Sequence, residues 1–143
     1  MKIMRDDYSI GIVPILKKDG EFYTFIVKHI GGHWGFPKGH PIDGENQLET
    51  AVRELKEETN LDASNLLSDK MLREEYSFFI GDDIVNKKVD YFIIEVSNLQ
   101  SIILDPNEIA DGKLLIIKDA LNYLSFKESK KVCVDAIDIL STC

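Results

Sequence analysis

Residues 45–59, ENQLETAVRELKEET, carry two periodicities at once, and no other stretch constrains the chain as much. Leu48, Ala51, Val52 and Leu55 fall at i, i+3, i+4 and i+7, which predicts a helix from Glu45 to Thr59 with these four as its buried stripe. At 100° per residue, Glu54, Glu57 and Glu58 share an arc of roughly 100° on nearly the opposite side. Like charges so spaced repel by a few tenths of a kcal/mol per pair when exposed, and a bound cation removes that cost. Taken alone, a glutamate run reads as a solvated helix face. The spacing around this one says more.

Counting from Gly39, five residues lead to Glu45, seven more to Arg53-Glu54, then Leu55, one residue, Glu57-Glu58, one residue, Asn60 and Leu61. This frame resembles the Nudix box: Gly, five residues, Glu, seven residues, Arg-Glu, an apolar residue, any residue, Glu-Glu, any residue, Gly and an apolar residue. Six specified positions, each with a background frequency of about 5–7%, coincide by chance in only about one such chain in 10⁵. Asn60 stands where the family has glycine. That position follows the helix C-terminus, where a left-handed backbone is common, and Asn is the non-glycine residue that tolerates it best.

The rest of the chain sets the class. Its 143 residues, 44% apolar, suffice for one domain, 1–143, with a hydrophobic core. No apolar run approaches the ~20 residues that span a bilayer, and the first residues lack a signal-peptide pattern, so a cytoplasmic protein is expected, with no membrane partner. A net charge of −8 argues against nonspecific binding to nucleic acid or anionic membrane. A polyanionic substrate would need metal ions and a local basic patch. Cys133 and Cys143 lack metal-ligand spacing and read as reduced thiols, Cys133 in the core and Cys143 at a frayed end.

Tyr8 to Lys17 and Phe22 to His29, separated by an Asp-Gly turn, read as a β-hairpin, and Pro14 suggests an edge or a bulge in its first strand. A loop is expected from Gly31 through 44, and residues 62–70 read as a connection. Met71 to Phe79 and Lys88 to Val96 read as strands joined by the loop IGDDIVN. Residues 98–112 read as irregular, Lys113 to Ile117 as a strand, Asp119 to Leu124 as one or two helical turns, and Phe126 to Leu140 as an amphipathic closing helix. The fold class is therefore α+β with helices packed on a sheet. The resemblance implies the family's α/β/α sandwich around a mixed β-sheet.

Clustered carboxylates without Cys or His at ligand spacing suit Mg²⁺, or Mn²⁺, rather than zinc. The resemblance implies that Glu54, Glu57 and Glu58, with the Gly39 carbonyl and Glu108 on a later loop, hold such ions, and that the reaction is hydrolysis of a diphosphate linked to another moiety. Arg53 would orient a carboxylate, Glu45 or Glu57, and Glu57 and Glu108 are the candidate bases. Outside the box, His33-Trp34-Gly35-Phe36-Pro37-Lys38-Gly39-His40, Lys87-Lys88-Val89-Asp90-Tyr91, Glu108 and Phe126-Lys127-Glu128 are similar to segments of the animal-type, asymmetrically cleaving diadenosine tetraphosphate hydrolases. The stretch from Phe78 to Asn86 reads as a longer loop than that group has.

Carried over position by position, the resemblance implies that His33, Lys38 and Lys87 contact a polyphosphate, that Tyr76 stacks on an adenine and that Phe126 supplies the other stacking face. His29 and His40 are expected outside the first contacts, and Trp34 is expected to pack beneath the loop. The substrate implied is a small dinucleoside polyphosphate, split with Mg²⁺ and water into ATP and AMP. Two rivals stand beside it: another pyrophosphohydrolase of the family, acting on nucleoside triphosphates or RNA 5′ ends, and a non-catalytic nucleotide-binding domain. Oligomeric state cannot be read from these residues.

Overall fold

A computed structural model describes residues 2–142. Its sheet is built on two long strands, β1 (Met4–Lys18) and β7 (Asp83–Ser97), which run parallel from the pair Met4/Ile84 to the pair Ile15/Glu95. β2 (Glu21–His29) folds back on β1 through Asp19-Gly20, whose φ values of 53° and 77° supply the double left-handed turn that matches strand twist. Two short strands, β3 (Trp34–Gly35) and β4 (Lys38–Gly39), pair with β2 and β1. After helix α1 (Gln47–Thr59) come β5 (Asp62–Leu66) and β6 (Leu72–Ile80), both antiparallel to β7. The chain closes with β8 (Ile109–Ile116) against β2, the short α2 (Ile117–Ala120) and α3 (Lys127–Leu140).

Strand alternation divides the core into two layers. Ile10, Ile12, Val27, Ile94 and Val96 pack with Ala51 and Leu55 of α1. Val13, Ile15, Ile26, Val89 and Ile93 pack with Cys133, Ala136 and Leu140 of α3. The sheet is mixed and flanked by helices on both sides, as the sequence implied. Among the described residues no helix is long and apolar enough to cross a membrane. Cys133 is buried, its thiol pushed up to about 12 by desolvation; Cys143 lies outside the described residues.

Several expectations are corrected. α1 begins at Gln47, because Asn46 caps it: its side chain accepts from the Glu49 N–H while Glu49 accepts from the Asn46 N–H. Its buried face is Thr50, Ala51, Leu55, Glu58 and Thr59, whereas Leu48 and Val52 are 39% and 36% exposed. The buried stripe is thus rotated toward Glu58, which the apolar spacing could not show. Residues 62–66 are a strand, and so are most of 80–86: the β6–β7 hairpin turns on Gly81 and Asp82 alone, so no long loop runs from Phe78 to Asn86. β8 starts at Ile109, inside the stretch read as irregular. Pro14 is on the sheet's interior strand, where its missing N–H costs nothing: the Ile12 N–H bonds to the Pro37 carbonyl, and pairing with β2 begins only at Ile15.

Candidate functional site

α1 delivers its carboxylates to the place where β2 leaves β1 and β4 takes over as its neighbour. A cavity of about 260 Å³ forms there, lined by Ser9 of β1, Lys38 and Gly39 of β4, His40, the three glutamates Glu54, Glu57 and Glu58, and Asp105 and Glu108 from the loop before β8. The loop is fixed at both ends: the Asp105 N–H donates to the Glu58 carbonyl at 3.0 Å, and the Glu108 carbonyl accepts from the Ile30 N–H at 3.0 Å. A Cβ at Gly39 would overlap the Glu54 carboxyl group, so a larger residue there would displace that carboxyl.

Arg53 organises the helix side. Its Nε donates to Glu45 Oε2 at 2.7 Å, Nη1 to Glu54 at 2.9 Å and to Glu57 at 3.1 Å, and Nη2 to the His40 carbonyl at 2.9 Å and Glu45 Oε1 at 3.1 Å. Instead of choosing between Glu45 and Glu57, it clamps both, with Glu54 and the β4 exit besides. The Arg53 bonds hold the Glu45 carboxyl down at about 2, assisted by Thr50 and the Ile42 N–H.

Glu58 is the electrostatic anomaly. It is 4% exposed, and its Oε1 is buried with no hydrogen-bond partner. Burial first, and the neighbouring Glu54 carboxylate second, push its pKa up to about 9, against the pull of the Lys38 ammonium and backbone N–H. Among the described residues no three acidic, His or Cys side chains already converge as a ligand set; Glu54 and Glu57 are drawn to Arg53 instead. The donors nonetheless fit a hard divalent cation: all are oxygens, Gly39 leaves the Glu54 carboxyl its space, and the orphaned Glu58 oxygen is a buried acceptor that a cation would satisfy. Lys38 adds positive charge, and among the described residues no carboxylate lies within ion-pair distance of its ammonium.

A second region lies on the α3 side. His33, Tyr76, Ser77, Phe78, Phe126 and Glu128 line a cavity of about 430 Å³. The His33 and Phe126 rings are 5.1 Å apart, Tyr76 and Phe126 6.0 Å, and Tyr76 and Phe78 6.1 Å. His29 stacks beneath His33 at 4.6 Å; burial, then Lys38 and His33, pull His29 down to about 3, so both rings serve as neutral aromatic surface. Trp34, half-buried, packs against the α3-side core.

Lys87 lies between the regions. It pairs across the sheet with Tyr76 on one side and Asp7 on the other, and its side chain is buried. Its Nζ donates to Asp7 Oδ2 at 2.9 Å and to Ser9 Oγ at 2.6 Å, while Asp7 Oδ1 lies 2.7 Å from His40 Nε2. Lys87 and Tyr76 also border a cavity of about 350 Å³ whose other lining residues, Asp6, Glu75, Ser77, Asn86 and Lys88, belong to the opposite face of the sheet. Ser9 of the acidic cavity, Lys87, and Tyr76 of the aromatic cavity therefore stand side by side on the α3-facing side of the sheet. The structure thus places Glu54, Glu57, Glu58, Glu108, Gly39 and Lys38 around one cavity and His33, Tyr76 and Phe126 around another.

His40 also lines the acidic cavity, with its ring turned to Asp7 at 2.7 Å. Asp7, Ser9 and Asp105 were missed: they lie far in sequence from the glutamate helix, and no spacing rule ties isolated acids or a strand serine to it.

Comparison with known proteins bears on the family and the fold. The pattern of the NUDIX domain matches residues 6–136. The asymmetrical bis(5′-nucleosyl)-tetraphosphatase of Mus musculus is 37% identical over 98 residues, 68% of this chain and 65% of that protein. The Caenorhabditis elegans protein of the same name is 28% identical over 122 residues, 84% of this chain and 86% of its own. A crystal structure titled as a C. elegans Ap4A hydrolase binary complex superposes with a TM-score of 0.76 at 23% identity, over 95% of this chain and 98% of that one.

Proposed function

The chain belongs to the Nudix family, and from that premise we propose that it hydrolyses diadenosine tetraphosphate asymmetrically, to ATP and AMP. The observation that carries the reading is a row of groups on one face of the sheet: a carboxylate-lined cavity, Lys87 bonded to Ser9 at its edge, and an aromatic cavity that begins at Lys87's cross-strand partner Tyr76, in the order that a scissile phosphate, a phosphate chain and a base require. A nucleoside triphosphate would use the first without needing the last.

Glu54, Glu57 and Glu58, with Glu108 and the Gly39 carbonyl, would hold a divalent cation, Mg²⁺ or Mn²⁺, which when bound would neutralise charge on the phosphate oxygens and make water more acidic. The protein's own groups do the rest. Water attacks one phosphorus, the bond from that phosphorus to its bridging oxygen breaks, and the proton of the water passes to a carboxylate. Glu57, half-exposed and tied to Arg53, and Glu108, on the facing loop, are the two carboxylates placed for that proton. Arg53 keeps the helix carboxylates in register, and Lys38 offers its unpaired charge to the phosphates. Lys87 binds the chain between the regions, His33 lines the aromatic cavity, and Tyr76 and Phe126, whose ring centroids lie 6.0 Å apart at 37°, part to take the distal adenine between them. A soluble setting such as the cytoplasm is consistent with so acidic a chain.

The test is a chromatographic product assay on diadenosine tetraphosphate with Mg²⁺, beside a panel of nucleoside triphosphates and a triphosphorylated RNA 5′ end. Equal ATP and AMP with slow turnover of the others is the expected result. Pyrophosphate from a triphosphate or RNA, with the dinucleotide untouched, assigns the chain to another branch of the family; no turnover of any leaves a nucleotide-binding domain.

A further inference from the structure

Lysines facing the two regions differ in one respect that the reaction alone does not explain. Lys38 has no carboxylate within ion-pair distance among the described residues, as expected of a cation kept for phosphate. Lys87, 5% exposed, has a carboxylate at 2.9 Å and a hydroxyl at 2.6 Å. An ammonium has three N–H bonds, and two of these are committed to β1. Asp7 is itself fixed, its other oxygen 2.7 Å from the His40 ring. Burial works against the Lys87 charge and Asp7 supports it. Burial likewise works against the Asp7 carboxylate, but the bonds from Lys87 and His40 outweigh it and hold its pKa below the usual range.

We propose that Asp7 is a positioning residue for the polyphosphate: with Ser9 it clamps the Lys87 ammonium at the junction of the cavities, so that its remaining N–H meets a phosphate lying between the metal-type site and the base. The inference rests on the reading of Lys87 as a phosphate contact. A free lysine would reach many positions on a polyanion, but one held at two points favours a phosphate at one place, which is how a chain of fixed length is registered between a reaction centre and a stacked base. Ser9 lines the acidic cavity and Tyr76, the cross-strand partner of Lys87, lines the aromatic one, so the clamp stands between the two.

The experiment is a double-mutant cycle on diadenosine tetraphosphate with saturating Mg²⁺, using Asp7→Asn, Lys87→Met and the double variant, with thermal melts alongside. We expect Asp7→Asn to raise KM about 10-fold, the scale of one charged hydrogen bond, with kcat within about 3-fold, and Asp7→Glu to recover part of the loss. Lys87→Met should raise KM at least as far, and the double variant should be no worse than Lys87→Met alone. Multiplying effects, or an unchanged KM in Asp7→Asn where Lys87→Met raises it, overturns the clamp and leaves the phosphate contact standing. An unchanged KM in Lys87→Met removes the phosphate contact and the clamp together. Should Asp7→Asn fold poorly, Ser9→Ala takes its place in the same cycle, with the same outcomes decisive.

Discussion

The acidic cavity and the aromatic cavity differ in how they are built. The first draws three carboxylates and their arginine from a single helix, all within Glu45 to Glu58, and adds β4 and one loop. The second collects His33, Tyr76, Phe78 and Phe126 from three separate elements up to 93 positions apart, as His33 and Phe126 are. A helix fixes side-chain angles by its own geometry, whereas a pocket assembled from distant segments depends on the whole fold. The chemistry is therefore written locally and the substrate selection globally.

The largest effects expected fall in the acidic cavity and should leave binding nearly intact. Glu57→Gln should lower kcat by about 10³-fold or more with a melting temperature near wild type, because it removes a half-exposed carboxylate placed for catalysis and little packing. A turnover close to wild type would remove this helix from the reaction. Glu108→Gln, assayed in parallel, separates the two candidate bases: the variant that loses turnover while keeping its Mg²⁺ affinity marks the base.

Effects in the aromatic cavity should be smaller and fall on KM. Tyr76→Ala and Phe126→Ala should each raise KM for the dinucleotide about 10-fold, since stacking one base is worth about 1–3 kcal/mol. Turnover of a nucleoside triphosphate should barely change. Equal losses on both substrates would mean that the aromatic rings support the fold and not the base.

Next comes the pH response of stability. The native Glu58 carboxyl titrates near 9 without metal and near the ordinary value when unfolded. Within that window the native state holds a proton that the unfolded state has lost, so stability falls as pH rises. His29 acts oppositely, since its native pKa is depressed to about 3; its stabilisation is lost only as pH falls below its unfolded value near 6.5. Between about pH 7 and 9, then, metal-free protein should melt at progressively lower temperature through Glu58. Glu58→Gln or added Mg²⁺ should flatten that slope; a slope unchanged in Glu58→Gln would place its origin elsewhere. Smallest of all, Val52→Lys should shift stability by no more than about 0.5 kcal/mol, against about 2–5 for Leu55→Ala on the buried side.

The sequence carried the acidic helix almost completely. The frame from Gly39 to Leu61 located every carboxylate that the helix gives to the cavity, and the left-handed Asn60, at φ 64°, fits the position where the pattern has glycine. It misjudged the helix's rotation, because Leu48 and Val52 keep helical spacing at the edge of the packed face, 39% and 36% exposed. Apolar period alone cannot tell Leu48 from Glu58 when the buried acid serves a site. Polarity also misled over residues 80–86: Asp83 and Asn86 sit in strand β7, Asp83 paired with β6 and Asn86 with both β6 and β1, whatever their side chains prefer. Asp7 and Ser9 were illegible for a different reason. Their meaning comes from parallel pairing with a strand some 80 residues later, a register that no local pattern encodes.

The central claim is that one substrate occupies both regions at once. An amide NMR titration of the slow Glu57→Gln variant with diadenosine tetraphosphate and Mg²⁺ tests it most directly. The account predicts that signals from residues 38–58 and from residues 76–78 and 126–128 shift together and saturate with one Kd. Shifts confined to the acidic helix and β4, with the aromatic cavity silent at saturation, would contradict it.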